Sequence, residues 1–307
     1  MNYHILEQQF TAWAETQDDV IAVVAIGSRG RIQPPPDEHS DLDLLLWTNN
    51  VDQYAAADNW LHHFGHPILS VFSHTSNHLP EWEMIYQDGH KLDVVVIQAT
   101  AGPLTEMAEL FPHQDVLRRG FRVLINKRGD QVEVSKWLHA AALHPNQTRF
   151  DHFVKELLLE ATRALKFAQR GDLWRGKMLC DHVMKQHLLT MMEWQAVAKY
   201  GDDLDVWYDG RFLEQWADAA AVQALPGTFA AYEAKDIIRA LHATVSLFHL
   251  LAEDTAARDN LVYTPEPVLA VLQWLAQAHT PHPIAALYED LYSEEESITQ
   301  EESNAHF

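Results

Sequence analysis

Cysteine is almost absent: Cys180 is the single one in 307 residues, so no intrachain disulfide can form and a disulfide-stapled secreted scaffold is excluded. Positive charge is scarce as well. Lys and Arg number 22 against 44 Asp and Glu, for a formal net charge of −22. A general polynucleotide binder needs a basic face, so no nucleic-acid partner is expected. Part of the imbalance belongs to the last stretch, where residues 289–307 contain seven acids and neither Lys nor Arg. No apolar run reaches membrane-spanning length, so no membrane association is expected. The opening residues, MNYHILEQQF, lack the basic and apolar regions of a signal peptide, and a cytoplasmic location is the expectation. The 19 histidines are scattered without HExxH or Cys/His ligand spacing, and no zinc site is assigned. What remains is an acidic chain, 47% hydrophobic, globular in composition and long enough for two cores. An acidic cleft concentrates cations; solubility alone accounts for the charge equally well.

The chain is organised around Gly27 to Asp43, GSRGRIQPPPDEHSDLD. An apolar run, Val20 to Ile26, delivers it to Gly27-Ser28-Arg29; a Pro-rich loop follows, and Asp41-Leu42-Asp43 opens a second apolar run. Alternate strand residues share a face, so Asp41 and Asp43 point one way and Leu42, Leu44 and Leu46 the other. Two carboxylates one strand repeat apart repel each other unless a cation sits between them. Mg²⁺ suits such a place, because it takes one or two carboxylates and completes its shell with water and phosphate. Gly27 lets backbone approach a ligand closely. Backbone N–H groups and the Ser28 hydroxyl can then cradle phosphate oxygens, with Arg29 adding charge-assisted hydrogen bonds. Strand, GS turn, loop, DxD, strand is similar to the signature of the nucleotidyltransferase superfamily.

Further along, residues 3–16 place Ile5, Phe10 and Trp13 at helical spacing. Residues 51–64 read as one helix, 68–72 and 82–86 as short strands, and Asp88-Gly89 as a hairpin turn. The turn leads into Lys91 to Ile97, an apolar strand headed by Asp93. Asp93 is either an exposed strand-start acid or a third carboxylate brought beside Asp41 and Asp43. Residues 121–125 read as a last strand, preceded by Arg118 and Arg119 and containing Arg122, a cluster that reads as a solvated strand end rather than a phosphate contact. Beyond residue 135 the period becomes helical. Residues 150–169 put Phe153, Leu157, Leu158, Ala161 and Leu165 on one face; 173–199, 212–220, 237–252 and 268–278 read as further helices. Glu156 and Glu160, at i and i+4, fit a solvated helix face and a cation-binding role equally well. Trp174 and Tyr208 fit core packing better than stacking on a base or sugar.

The blocks AIGSRGR (25–31), SDLDLLL (40–46), HKLDVVVI (90–97), RGFRVLINKRGD (119–130), LWRGKMLCDHVMKQHLLTMMEWQ (173–195) and YDGRFLEQWAD (208–218) extend the likeness. Through them the chain resembles the aminoglycoside 6-adenylyltransferase (streptomycin adenylyltransferase) family of resistance enzymes. The resemblance implies an α+β architecture: an N-terminal nucleotidyltransferase mixed β-sheet with flanking helices over residues 1–134 and a C-terminal α-helical bundle over 135–290; the composition of residues 291–307 reads as an acidic, disordered tail. It implies Mg²⁺-dependent transfer of AMP from ATP to a hydroxyl of a cationic aminoglycoside, bound with ATP between the two domains, by a monomer or small homo-oligomer. On that pattern Asp41 and Asp43 hold metal, Asp93 is the base or a third ligand, and Gly27, Ser28 and Arg29 hold the triphosphate. Glu156 and Glu160 are candidates for the acceptor's ammonium groups. The alternatives are nucleotidyl transfer to a lincosamide, another small alcohol or a protein hydroxyl, and a non-catalytic module with this fold.

Overall fold

The computed structural model describes residues 3–31, 35–109, 111–112, 114–134, 144–206 and 208–278. Its contacts divide the chain into two compact units, 1–141 and 142–307. The boundary expected after residue 134 adjoins a segment outside the described residues, and the tail expected at 291–307 lies outside them altogether.

The first unit is a six-stranded sheet flanked by helices. In chain order it contains α1 (Tyr3–Thr16), β1 (Val20–Ile26), a single helical turn α2 (Gly27–Gly30), β2 (Leu42–Thr48), α3 (Val51–Ala55), a 3-10 helix (Asn59–Phe64), β3 (Pro67–His74), β4 (Pro80–Tyr86), β5 (Lys91–Gln98), α4 (Leu104–Glu109), α5 (Gln114–Arg118) and β6 (Arg122–Asn126). The strand order is β3-β4-β5-β2-β1-β6, with β2 and β5 parallel and every other pair antiparallel. Both faces of the sheet's centre are covered, which is why β1, β2 and β5 are almost uninterrupted apolar runs. Leu42, Leu44 and Leu46 join Leu92, Val94 and Val96 in a core that takes in Leu6 and Phe10 of α1 and the Trp60/Phe64 aromatics. Leu45, Trp47, Val95 and Ile97 face the other way, onto Leu104, Met107, Phe111 and Leu117.

Two expectations for this unit need correction. The buried stripe of α1 is Tyr3, Leu6, Phe10 and Ala14, and Ile5 is 46% exposed. The seam therefore runs one residue round from the expected one, with Trp13 at its margin, stacked on Trp60 at 5.1 Å. Residues 51–64 are not one helix. The Tyr54 carbonyl, which a continuing helix would use four residues on, instead accepts the indole N–H groups of Trp60 (3.1 Å) and Trp82 (2.8 Å). Both indoles are buried and need an acceptor, and satisfying them ends the helix at Ala55.

The second unit is helical: α6 (Gln147–Gln169), α7 (Leu173–Met178), a π-turn (Leu179–Val183), α8 (Met184–Tyr200), the short α9 (Leu213–Trp216) and α10 (Ala219–Ala224), α11 (Ala234–Asp259) and α12 (Glu266–Ala276). Its core is built on the buried faces of α6, α8 and α11, with Phe150, Trp194 and Phe248 fully buried. The expected face of α6 is largely right; Phe150, Val154, Ala164 and Ala168 complete it, while Phe153 is only partly buried. Asn146 caps α6, its side chain accepting the Arg149 N–H at 2.9 Å. The stretch expected as one helix over 173–199 carries the π-turn, whose displaced carbonyls are taken by side chains: Lys185 Nζ donates to Cys180 O at 2.8 Å, and His187 Nδ1 lies 3.0 Å from Val183 O. The helix expected over 212–220 is split, because Asp218 accepts the Ala220 N–H at 2.8 Å and starts α10 afresh.

Candidate active site

The parallel pairing of β2 with β5 sets Asp43 directly beside Asp93. The antiparallel pairing of β5 with β4 sets Glu83 on the other side of Asp93. Neighbouring strands lie about 4.8 Å apart, so Glu83, Asp93 and Asp43 form one row of acids across three strands. Asp41 does not lie on the strand, as expected from the DxD spacing, but one residue ahead of its first member, Leu42. It is held from α1: the Tyr3 hydroxyl donates to Asp41 Oδ1 at 3.3 Å and accepts the Lys91 N–H at 3.1 Å.

Gly27 is paired to this row by position and by space. Its predecessor Ile26 is the register partner of Asp43, and its φ of +62° belongs to the left-handed region that glycine enters without penalty. A Cβ at Gly27 would lie far inside contact distance of Asp43 Oδ2. The turn thus brings bare backbone against the Asp43 carboxylate. Ser28 is buried. Arg29 is partly committed to the loop that returns to β2, its Nε donating to Ser40 O (2.9 Å) and its Nη2 to Asp37 O (3.2 Å). Its guanidinium also lies 4.0 Å from the centre of the Tyr3 ring. Arg29, Arg31 and Arg122 together line an open depression of about 350 Å³ with Tyr3 and Glu7. Arg122 is therefore part of the turn's surroundings rather than a solvated strand end. It reaches Glu7 with both Nη atoms and donates from Nε to Arg29 O at 2.7 Å.

Lys91 is the cation of the acid row. Its Nζ is 2.8 Å from Asp93 Oδ2 and 3.0 Å from Glu83 Oε2. Burial acts to lower the lysine pKa, but the hydrogen bonds to Asp93 and Glu83 outweigh it and hold the ammonium charged. For Asp93 burial wins: it pushes the carboxyl up to about 6, against the pull of Lys91 and helped by the charges of Glu83 and Asp41. The second oxygen, Asp93 Oδ1, is buried and has no hydrogen-bond partner among the described residues.

These features fit a hard divalent cation. Asp43 and Asp93 offer oxygen donors on one face, with an orphaned carboxylate oxygen among them and Asp41 close by. Among the described residues no three His, Cys, Asp or Glu side chains converge as a ready-made ligand cluster. The donor set therefore suits an ion that takes one or two carboxylates and draws its remaining ligands from water and substrate.

Glu156 and Glu160 lie on α6 in the second unit. Glu156 is 3.1 Å from His152, and Glu160 Oε1 accepts from Arg163 at 2.7 Å. Glu160 Oε2 is buried without a hydrogen-bond partner among the described residues. Trp174 is exposed, against the expectation of core packing, and the side chain of Tyr208 lies outside the described residues.

Sequence reasoning missed Tyr3, Glu83 and Lys91. Lys91 was within reach, since it shares a strand face with Asp93 two residues on. Glu83 required the β4–β5 register, and Tyr3 a contact made 38 residues away.

A family profile described as streptomycin adenylyltransferase matches residues 3–278. The aminoglycoside 6-adenylyltransferase of Bacillus subtilis (strain 168) is 21% identical over 267 residues, which cover 83% of this chain and 89% of that protein. The protein of the same name from Campylobacter jejuni is 20% identical over 259 residues, covering 82% and 87%. Among solved structures, a crystal structure of the aminoglycoside 6-adenyltransferase from Bacillus subtilis aligns over 89% of this chain and 95% of its own, with 16% identity and a TM-score of 0.42.

Proposed function

The chain belongs to the streptomycin adenylyltransferase family and is a nucleotidyltransferase, and from that premise we propose that it transfers AMP from ATP to a hydroxyl of an aminoglycoside, with release of pyrophosphate. The observation that carries the reading is the in-register pair Asp43–Asp93 on parallel strands, set against the glycine turn. In-line attack on the α-phosphorus needs a hydroxyl activated on one side and phosphate charge neutralised on the other.

Asp41 and Asp43 are the carboxylates that would hold Mg²⁺, with Asp93 as base or third ligand. Magnesium supplies Lewis-acid stabilisation of the phosphoryl oxygens when bound. The chain's own groups do the rest. Gly27 and Ser28 present backbone and hydroxyl donors to the triphosphate, and Arg29 brings positive charge to the same turn. Asp93 is the acid best placed to take the acceptor's proton: its raised pKa, about 6, makes it a stronger base than an ordinary carboxylate. Tyr3 fixes Asp41 by hydrogen bond and leaves its second oxygen for the ion.

A cationic acceptor suits the acidity of the chain, and Glu160 in the helical unit keeps a carboxylate oxygen without a described partner. The acceptor's ammonium or guanidinium groups would meet Glu156 and Glu160 there.

The test is an acceptor panel of aminoglycosides and lincosamides, incubated with ATP and Mg²⁺. Pyrophosphate release and a mass gain of one adenylyl group are the readouts. Modification of an aminoglycoside, with a higher acceptor KM in Glu160→Gln and unchanged ATP binding, is the expected result. An adenylylated lincosamide with no modified aminoglycoside overturns the acceptor and leaves nucleotidyl transfer standing.

A further inference from the structure

Glu83 has no part in the reading above, yet it lies in the same row as Asp93 and Asp43 and shares a lysine with Asp93. We propose that Glu83 is a positioning residue that seats the Lys91 ammonium when a cation and nucleotide occupy the acid row, so that Asp93 is released for the acceptor hydroxyl. The proposal rests on the nucleotidyl-transfer reading and extends it to a residue on β4.

Three observations carry it. The first is the geometry of sharing. Lys91 Nζ lies 2.8 Å from Asp93 and 3.0 Å from Glu83, so neither acid owns it. An ammonium on a four-carbon stem has three donors and turns readily, and a small rotation exchanges one partner for the other. The second is the order of the row. Glu83 and Asp43 flank Asp93 on opposite sides, so a cation arriving at Asp43 approaches Asp93 from the side away from Glu83. Like charges then drive Lys91 toward Glu83. The third is exposure. Side-chain accessibility rises from 18% at Asp93 through 32% at Lys91 to 41% at Glu83, so the lysine moves outward, toward water, when it leaves the buried acid.

Without Glu83 the same lysine has Asp93 as its one acidic partner in the row. Leaving would strand an ammonium in a half-buried place, and staying would block the carboxylate that the reaction needs. Glu83 removes that conflict. It does so through Lys91, which makes the proposal testable by removing the lysine.

The experiment measures Mn²⁺ binding, in the presence of a non-hydrolysable ATP analogue, from the electron paramagnetic resonance signal of free Mn²⁺. Steady-state turnover is followed in parallel. Glu83→Gln is expected to weaken Mn²⁺ binding by on the order of tenfold, the scale of one charge-assisted hydrogen bond, and to lower kcat with acceptor KM unchanged. Lys91→Met is expected to bind Mn²⁺ more tightly than wild type. The double variant Glu83→Gln/Lys91→Met is expected to recover Mn²⁺ affinity to near the wild-type value, a rescue that a merely structural Glu83 would not give. Should the amide variant fail to fold, Glu83→Asp serves in its place, because it keeps the charge and withdraws it from Lys91; it too is weakened and rescued by Lys91→Met. Wild-type affinity in Glu83→Gln, or no rescue in the double variant, overturns the proposal while the site itself stands. Absence of Mn²⁺ binding in the wild type overturns the site and the proposal together.

Discussion

The acids of the two units are arranged on opposite principles. In the helical unit acids are paired along the helices with basic side chains one turn away: Glu156 with His152, Glu160 with Arg163, Asp172 with Arg175, Asp236 with Arg239 and Asp254 with Arg258. Such pairs contribute about 0–1 kcal/mol each and leave little charge unsatisfied. In the sheet unit Glu83, Asp93 and Asp43 stand side by side, and Glu83 and Asp93 share one lysine. Clustering like charges costs stability and distributing them does not. The unit that accepts the cost is the one that carries the candidate reaction centre.

The largest break in that contrast is Asp43→Asn. It keeps the shape of the row and removes the charge beside Gly27, and turnover is expected to fall by at least about 100-fold, as for loss of a group that stabilises transferring charge. Pyrophosphate release measures it, and the melting temperature of the metal-free protein should hold or rise. An equally clustered acid, Asp93, yields a gain. Its carboxyl titrates near 6 in the fold and near 3.8 outside it. The folded state therefore holds the proton more tightly, and the stability this gives is complete below about pH 4 and is lost as pH rises through about 6. Asp93→Asn should abolish turnover and stabilise the metal-free protein at pH 7 by on the order of 1–3 kcal/mol. Thermal denaturation at pH 4.5 and pH 7 would show the wild-type slope disappear in the variant.

Gly27→Ala tests the turn that closes on the row. The alanine methyl meets Asp43 Oδ2 in a left-handed backbone, and a loss of about 1–3 kcal/mol with reduced turnover is expected. The smallest effect belongs to the distributed unit. His144 lies 2.9 Å from Asp259 and 2.7 Å from Asp202, contacts that raise its pKa above the ordinary 6.5. Its contribution is fully present below about pH 6.5 and lost as pH rises through the folded value. The imidazole is about a third exposed, so solvent screening leaves about 0.5 kcal/mol, and His144→Gln should flatten the alkaline fall of the helical unit's melting curve by that amount. A much steeper effect would mean that the two acids sharing His144 behave like the clustered row rather than like local pairs.

The contrast also explains what could be read in the sequence. Period-two alternation put Asp43 on the correct face and predicted the apolar partner face of Leu42, Leu44 and Leu46, because both are properties of one strand. Asp93 was legible as an acid out of place at the head of a buried strand. Glu83 was not. Asp88-Gly89 reads as the centre of a two-residue turn, which would set Glu83 opposite Val94. The actual turn is one residue longer, with Tyr86 N–H donating to His90 O and Gly89 N–H to Tyr86 O, and it sets Glu83 opposite Asp93. Tyr3 was read as helix, and its hydroxyl's reach to Asp41 lies beyond any local pattern. The break after Ala55 and the π-turn at Leu179 escaped for a related reason. Both arise where side chains take over backbone carbonyls: the indoles of Trp60 and Trp82 at Tyr54, and the Lys185 ammonium and His187 ring at Cys180 and Val183.

The one parallel pair in the sheet has a consequence for assembly. Antiparallel neighbours such as β3 and β4 can zip from a short turn, but β2 and β5 can meet only after the chain from Asn49 to His90 has crossed over and laid down its hairpin. Loop closure of that length is paid before the contact it permits, so the Asp43–Asp93 pairing belongs among the slower events of folding. The two negative charges thus come together in the same late step that packs Leu42, Leu44 and Leu46 with Leu92, Val94 and Val96. A nascent chain that ends short of Lys91 holds half of the acid pair and none of its repulsion.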